Sequence, residues 1–77
     1  MEKHIIDDDY YYTKTRDRIG GTIRTDVFKK NGVYKAFSSY WQDKDEEIVG
    51  WGESSDDIEA GRLSRKELRK EWREAGR

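Results

Sequence analysis

The side chains in this chain that could do chemistry are clustered carboxylates and a basic C-terminal run, with one histidine and no cysteine. Without thiols neither a disulfide framework nor a thiolate metal site can form. His4 has no sequence-local partner that would make it a triad member or a metal ligand, so it reads as a surface histidine. The stretch Asp56 to Glu67 has the outline of a calcium loop, with Asp56 first, Gly61 sixth, Ser64 ninth and Glu67 twelfth. Ile58 and Ala60, however, stand at the third and fifth positions, where oxygen ligands are needed. Helix termination and capping account for the same Gly, Ser and Glu. Asp7, Asp8 and Asp9, and likewise Asp43, Asp45, Glu46 and Glu47, are runs of carboxylates of the kind that solvate a loop. Gly20-Gly21 lacks the lysine and the strand-to-helix setting of a phosphate loop. The expectation is a chain with no catalytic set, no metal and no cofactor.

Binding is the chemistry left. Asp43, Asp45, Glu46 and Glu47 precede Trp51, and Tyr10, Tyr11 and Tyr12 follow three aspartates. Aromatic anchors ringed by charge are characteristic of protein interfaces, so these eight residues are the expected partner-binding set. The alternative is nucleic acid, held by Arg65, Lys66, Arg69, Lys70 and Arg73 on a helix and by Lys29 and Lys30 beside aromatics on a sheet. Glu67, Glu71 and Glu74 interleave with those bases and the sequence pI is about 5.8. Phosphate affinity needs an uncompensated basic stripe, which places a protein partner, or a nucleoprotein complex, ahead of free nucleic acid.

The elements that must carry these residues belong to one small domain of 77 residues. A chain of this size buries only about 60% of the surface that its unfolded form exposes. Leu, Ile, Val and Phe are sparse, and ten aromatics supply the burial instead. Lys and Arg balance Asp and Glu to a net charge of −1, in blocks: acidic over 1–9, basic over 10–37, acidic over 38–61 and basic over 62–77. The strongest structural signal is Asn31-Gly32 between aromatic and β-branched runs, since both central positions of a type I′ turn need positive φ. A two-residue loop sets Lys30 against Val33, Val27 against Ala36, Thr25 against Ser38 and Ile23 against Tyr40. Alternation then puts Ile23, Val27, Tyr34, Ala36 and Tyr40 on one face. Phe28, Val33, Phe37 and Trp41 fall on the other with Arg24, Asp26 and Lys35. A further strand is expected over 46–51, and another over 10–16 connected through Gly20-Gly21, giving a three- to four-stranded antiparallel meander. Residues 1 to 9 are expected to be mobile.

A short helical turn is expected over 54–61, capped by Ser54 or Ser55 and ended by Gly61. A separate helix is expected over 64–75, with Ser64 and Glu67 as a capping box, Leu63 and Leu68 as its staple, and Gly76 at C′. Leu68 and Trp72 would dock it on the sheet, making an α+β fold. The stretch Gly50 to Ala60, following Asn31 to Phe37, resembles the end of the sheet and start of the helix in HicB-like antitoxin domains. That resemblance implies a small sheet crossed by a helix, although the Pro-rich loop and regular Ala and Leu spacing of those domains are missing. In size, charge density and lack of cysteine the chain is similar to the small inhibitors that phages and mobile elements encode, anti-CRISPR proteins among them. No apolar run approaches the roughly 18 residues of a membrane span, and Glu2-Lys3-His4 opens no signal-peptide stretch. A cytoplasmic monomer or weak homodimer is expected, the latter through the C-terminal helices.

Overall fold

The computed structural model describes residues 2–18 and 21–76. Among them the chain forms β1 (Glu2–Asp7), β2 (Tyr10–Asp17), β3 (Gly21–Lys30), β4 (Val33–Tyr40), β5 (Gly50–Ser54) and α1 (Asp57–Glu74). The strands pair antiparallel in chain order, β1-β2-β3-β4-β5. One helix lies across one face, so the class is α+β as expected. The strand count is higher than expected because the N-terminal residues, read as mobile, pair with the tyrosine run: His4 faces Tyr12 and Ile5 faces Tyr11.

The hairpin follows its turn. Asn31 and Gly32 both have positive φ, 54° and 77°, and the register sets Lys30 against Val33, Val27 against Ala36, Thr25 against Ser38 and Ile23 against Tyr40. Of the connection through Gly20-Gly21, Gly20 lies outside the described residues and Gly21 is the first residue of β3.

The strand expected over 46–51 forms later, at Gly50–Ser54. Glu46 has φ 48°, which no strand accommodates. The Asp43 carboxylate accepts the Ile48 N–H at 3.1 Å and holds residues 43–48 as a loop. Ile48 packs from that loop onto Ile23, Tyr40, Leu68 and Trp72. Its hydrophobicity therefore signals core without signalling strand.

The two expected helical pieces are one. Asp56, and neither Ser54 nor Ser55, is the N-cap: its side chain accepts the Glu59 N–H at 3.1 Å, and Asp57 and Glu59 complement the helix dipole in the first turn. Gly61 and Ser64, read as a stop and a new cap, sit in mid-helix and face the sheet, where both are buried. A mid-helix glycine costs about 1 kcal/mol relative to alanine. The Ser64 hydroxyl turns back to the Gly61 carbonyl at 2.8 Å. The C-terminus ends as read: Gly76 has φ 75° and its N–H returns to the Arg73 carbonyl at 3.1 Å.

The covered face of the sheet is apolar at both ends and hydroxylated in the middle. Ile23 and Tyr40 meet Leu68 and Trp72, with the Tyr40 and Trp72 rings 4.5 Å apart between centroids. Val27 and Ala36 meet Ala60, flanked by Tyr11 and Tyr34. Between them Thr25, Ser38 and Ser64 are fully buried. Thr25 Oγ1 and Ser38 Oγ are 2.7 Å apart, and Ser38 Oγ and Ser64 Oγ also 2.7 Å. These hydroxyls satisfy one another, which removes the penalty of burying them alone.

Helix and sheet meet at backbone distance. A Cβ built on Gly50 would lie 2.2 Å from the Leu68 nitrogen, and one on Gly52 2.6 Å from the Ala60 carbonyl oxygen. At Gly61 a Cβ would instead meet only the end of the Arg65 side chain, at 3.1 Å. Two alanine substitutions therefore separate in sign. Gly52→Ala is expected to destabilise by at least about 2 kcal/mol through overpacking. Gly61→Ala is expected to stabilise by up to about 1 kcal/mol through helix propensity. Urea unfolding followed by circular dichroism measures both, and equal effects would contradict the packing described.

Candidate functional site

The second face of the sheet has no element over it among the described residues. Alternation delivers to it the side chains that the helix does not use. Tyr10 and Phe28, directly opposed on β2 and β3, stack with centroids 4.5 Å apart and planes 4° apart. Phe37 on β4 meets Phe28 edge-on at 6.2 Å. Trp51 on β5 stands opposite Phe37. The four rings form a band across four strands, in which Phe28 and Phe37 are about two-fifths exposed and Trp51 is 57% exposed. Trp41, just beyond β4, adds a second exposed indole, flanked by the ammonium groups of Lys14 at 4.5 Å and Lys44 at 5.0 Å.

Beside the band lies a polar cluster. The Tyr10 hydroxyl donates to Asp26 Oδ1 at 2.6 Å. Arg24 donates to the same oxygen from Nη2 at 3.1 Å, and to the Tyr10 hydroxyl at 3.2 Å. The Arg24 guanidinium also lies 4.1 Å from the Tyr12 ring centroid, and His4 stacks on that ring at 4.6 Å. Tyr12 is thus held between β1 and β3. His4, expected on a mobile terminus, is a half-buried strand residue whose Nε2 lies 3.1 Å from Glu2 Oε1. These rings are stacked between neighbouring strands, at about the inter-strand spacing of 4.8 Å. Their stacked faces are turned to one another or to Arg24.

The expected partner-binding residues divide. Trp51, Tyr10 and Tyr12 belong to the open face. Tyr11 points to the other side, where its hydroxyl donates to Asp57 Oδ2 at 2.7 Å and ties β2 to the start of α1. In the acidic loop Asp45, Glu46 and Glu47 are exposed, whereas Asp43 is buried, with its carboxylate turned inward to the Ile48 N–H. Asp43 builds the loop that displays the other three.

The basic residues scatter too. Arg65 is half-buried beside Tyr11, and burial lowers its pKa. Arg69 Nε lies 3.4 Å from Asp17 Oδ2. Lys66, Lys70 and Arg73 line the outer side of α1 along β5. Lys29 leans over Tyr34 at 5.7 Å on the helix side of β3, while Lys30 alternates onto the open face. No single stripe gathers them.

Phe28, Phe37, Trp41, Lys14, Arg24 and Lys35 are open-face residues that the expected sets omit. The signal for the first three is the hairpin register itself, which places them together opposite the core. The same register puts Arg24 on this face, whereas Lys14 reaches it through the pairing of β2 with β3.

Three phenols carry the polar contacts of this sheet, and all three are harder to ionise than a free tyrosine. A hydrogen bond to Asp26 raises the pKa of Tyr10. Burial, reinforced by Asp57, raises that of Tyr11, and burial with Asp17 raises that of Tyr40, whose hydroxyl donates to Asp17 Oδ2 at 2.6 Å. Since the folded state holds these protons more tightly than the unfolded one, stability is full below pH about 10, the unfolded tyrosine value, and falls above it. Tyr11→Phe and Tyr40→Phe are each expected to flatten the alkaline loss. Absorbance at the tyrosinate band should show Tyr11 and Tyr40 ionising only as the chain unfolds, and their titration at ordinary tyrosine pH in the folded protein would refute these contacts.

Comparison with known proteins adds no relative: no family model, no curated protein and no solved structure matches the chain.

Proposed function

We propose that the chain is a non-catalytic protein-binding module. In this reading it is a small regulator or inhibitor of the type that phages and mobile elements encode, anti-CRISPR proteins included. The partner sits on the open sheet face, with the acidic loop at its margin. The single observation that carries the reading is the aromatic band Tyr10, Phe28, Phe37 and Trp51. A solvated sheet face alternates to polar residues, whereas a contiguous exposed apolar patch rimmed by charge is characteristic of an interaction surface. The exposed carboxylates of Asp45, Glu46 and Glu47 favour a partner with a basic surface beside the apolar one.

The same face carries Lys14, Lys30 and Lys35, which gives single-stranded nucleic acid as the second reading. Ring orientation disfavours it. Bases stack on ring faces, and here Tyr10, Phe28 and Tyr12 already spend faces on one another, on His4 and on Arg24. Arg24 is neutralised in place by Asp26.

Two variants test the proposal against a partner captured from the native host. Phe37→Ser with Trp51→Ser is expected to weaken binding at least a hundredfold. Asp45→Lys with Glu46→Lys and Glu47→Lys should weaken it at least tenfold. Both alter exposed side chains, so unfolding midpoints should stay nearly unchanged, as for most surface substitutions. Undiminished affinity in both variants would remove the open face as the site. DNA or RNA binding that weakens steeply between two salt concentrations would establish the second reading instead.

A further inference from the structure

The sheet has two edges, β1 and β5, and the groove beside β5 is walled by α1. Between β5 and the outer side of α1 lies an open cleft of about 560 Å³, lined by Trp51, Glu53, Leu63, Lys66, Lys70 and Arg73 together with Gly52 and Glu67. Its floor is backbone. In the β3–β4 hairpin the residues flanking the two-residue turn, Lys30 and Val33, form the first hydrogen-bonded pair. Alternate residues of β4 therefore bond to β3, and the intervening Tyr34, Ala36 and Ser38 bond to β5. Their partners are Ser54, Gly52 and Gly50. The N–H and C=O groups of Trp51 and Glu53 consequently point outward, and among the described residues no backbone hydrogen bond reaches them.

Unpaired edges of this kind are ordinarily blunted by charge, proline, a bulge or a covering element. At Trp51 and Glu53 β5 carries one charge, that of Glu53, and neither a proline nor a bulge. Its glycines draw α1 onto the face of the strand, so the helix forms the wall of a slot beside the edge without closing it. That wall carries Lys66, Lys70 and Arg73 against Glu67, with Leu63 at the end near Gly52. An edge strand beside a helix is the geometry of peptide recognition by strand addition, in which main-chain bonds give affinity and alternate side chains give specificity.

We propose that this slot takes an extended acidic segment of a partner protein as a sixth strand. Its backbone pairs with Trp51 and Glu53. Every second side chain faces α1, where acidic ones meet Lys66, Lys70 and Arg73. The site goes beyond the open-face reading: it lies on the edge of the sheet, favours the opposite charge in its ligand, and stands whether or not the aromatic face has a partner.

The test uses two labelled eight-residue peptides, one alternating Val with Glu and the other Val with Lys, in fluorescence polarisation against the full chain at neutral pH. The Val–Glu peptide is expected to bind at least tenfold more tightly, moving the amide resonances of Trp51 and Glu53. Glu53→Pro removes one outward donor without touching the β4 ladder, as proline at an edge allows, and should cost at least tenfold in affinity. Should that variant fold poorly, a Val–Glu peptide N-methylated at the amides facing β5 makes the same test on the ligand side. Lys66→Gln with Lys70→Gln and Arg73→Gln should erase the discrimination between peptides. Equal binding of the two peptides, no binding of either, or shifts confined to the open faces of β2 and β3 would overturn the proposal. A mass that rises with protein concentration and is lost in Glu53→Pro would also overturn it, by assigning the edge to a second copy.

Discussion

The backbone of α1 comes so near β5 that no side chain fits between them, and the placement of nearly everything else depends on that approach. Gly50 and Gly52 on the strand, Ala60 and Ser64 on the helix, and Ala36 and Ser38 on β4 are the small residues that permit it. Close approach makes the covered layer thin. A thin layer can be filled by Ile23, Val27, Tyr40, Leu68 and Trp72, without the leucines that a thicker core would need. The hydroxyl contacts of Thr25, Ser38 and Ser64 fall at the centre of this layer, and the one between Ser38 and Ser64 joins helix to sheet and would be broken by sliding α1 by a turn.

The same economy explains the open face. With one helix and a thin core, the chain buries only two of its large rings fully or nearly so, Tyr40 and Trp72. Tyr11 and Tyr34 pack at the core's edge, and the remaining rings alternate to the far side. There they organise one another through stacking and cation contacts rather than through burial. The result is an ordered aromatic surface in the absence of a cover. Order of this kind lowers the entropic cost of binding, because rotamers are already fixed when a partner arrives.

The parts of the fold that could be read in the sequence are those governed by local stereochemistry. Asn31-Gly32 fixes the turn, the turn fixes the register, and the register sorts Ile23, Val27, Ala36 and Tyr40 from Phe28 and Phe37. Gly76 marks the helix end for the same reason. The parts that could not be read are those decided by packing. Gly61 and Ser64 carry the local signature of a stop and a cap, yet lie in mid-helix, where Ser64 sets its hydroxyl against Ser38 of the sheet. Ile48-Val49 looks like strand, yet Ile48 is a loop residue drawn into the core. Asp43 is indistinguishable from its acidic neighbours in sequence, although its carboxylate organises the loop. Of the tyrosine run, alternation implies that Tyr11 must part from Tyr10 and Tyr12, but which face each takes depends on the pairing of β2 with β3.

A sheet whose strands pair strictly in chain order has a consequence during synthesis. Each hairpin can zip onto the one before as it leaves the ribosome, because no strand waits for a distant partner, and local pairing of this kind speeds folding. The helix comes after all five strands, so the face bearing Ile23, Val27, Ala36 and Tyr40 stays bare until Leu68 and Trp72 have emerged. During that interval the nascent sheet is sticky on both sides. The excess of lysines and arginines along β2 and β3 gives that sheet a positive charge, which opposes self-association.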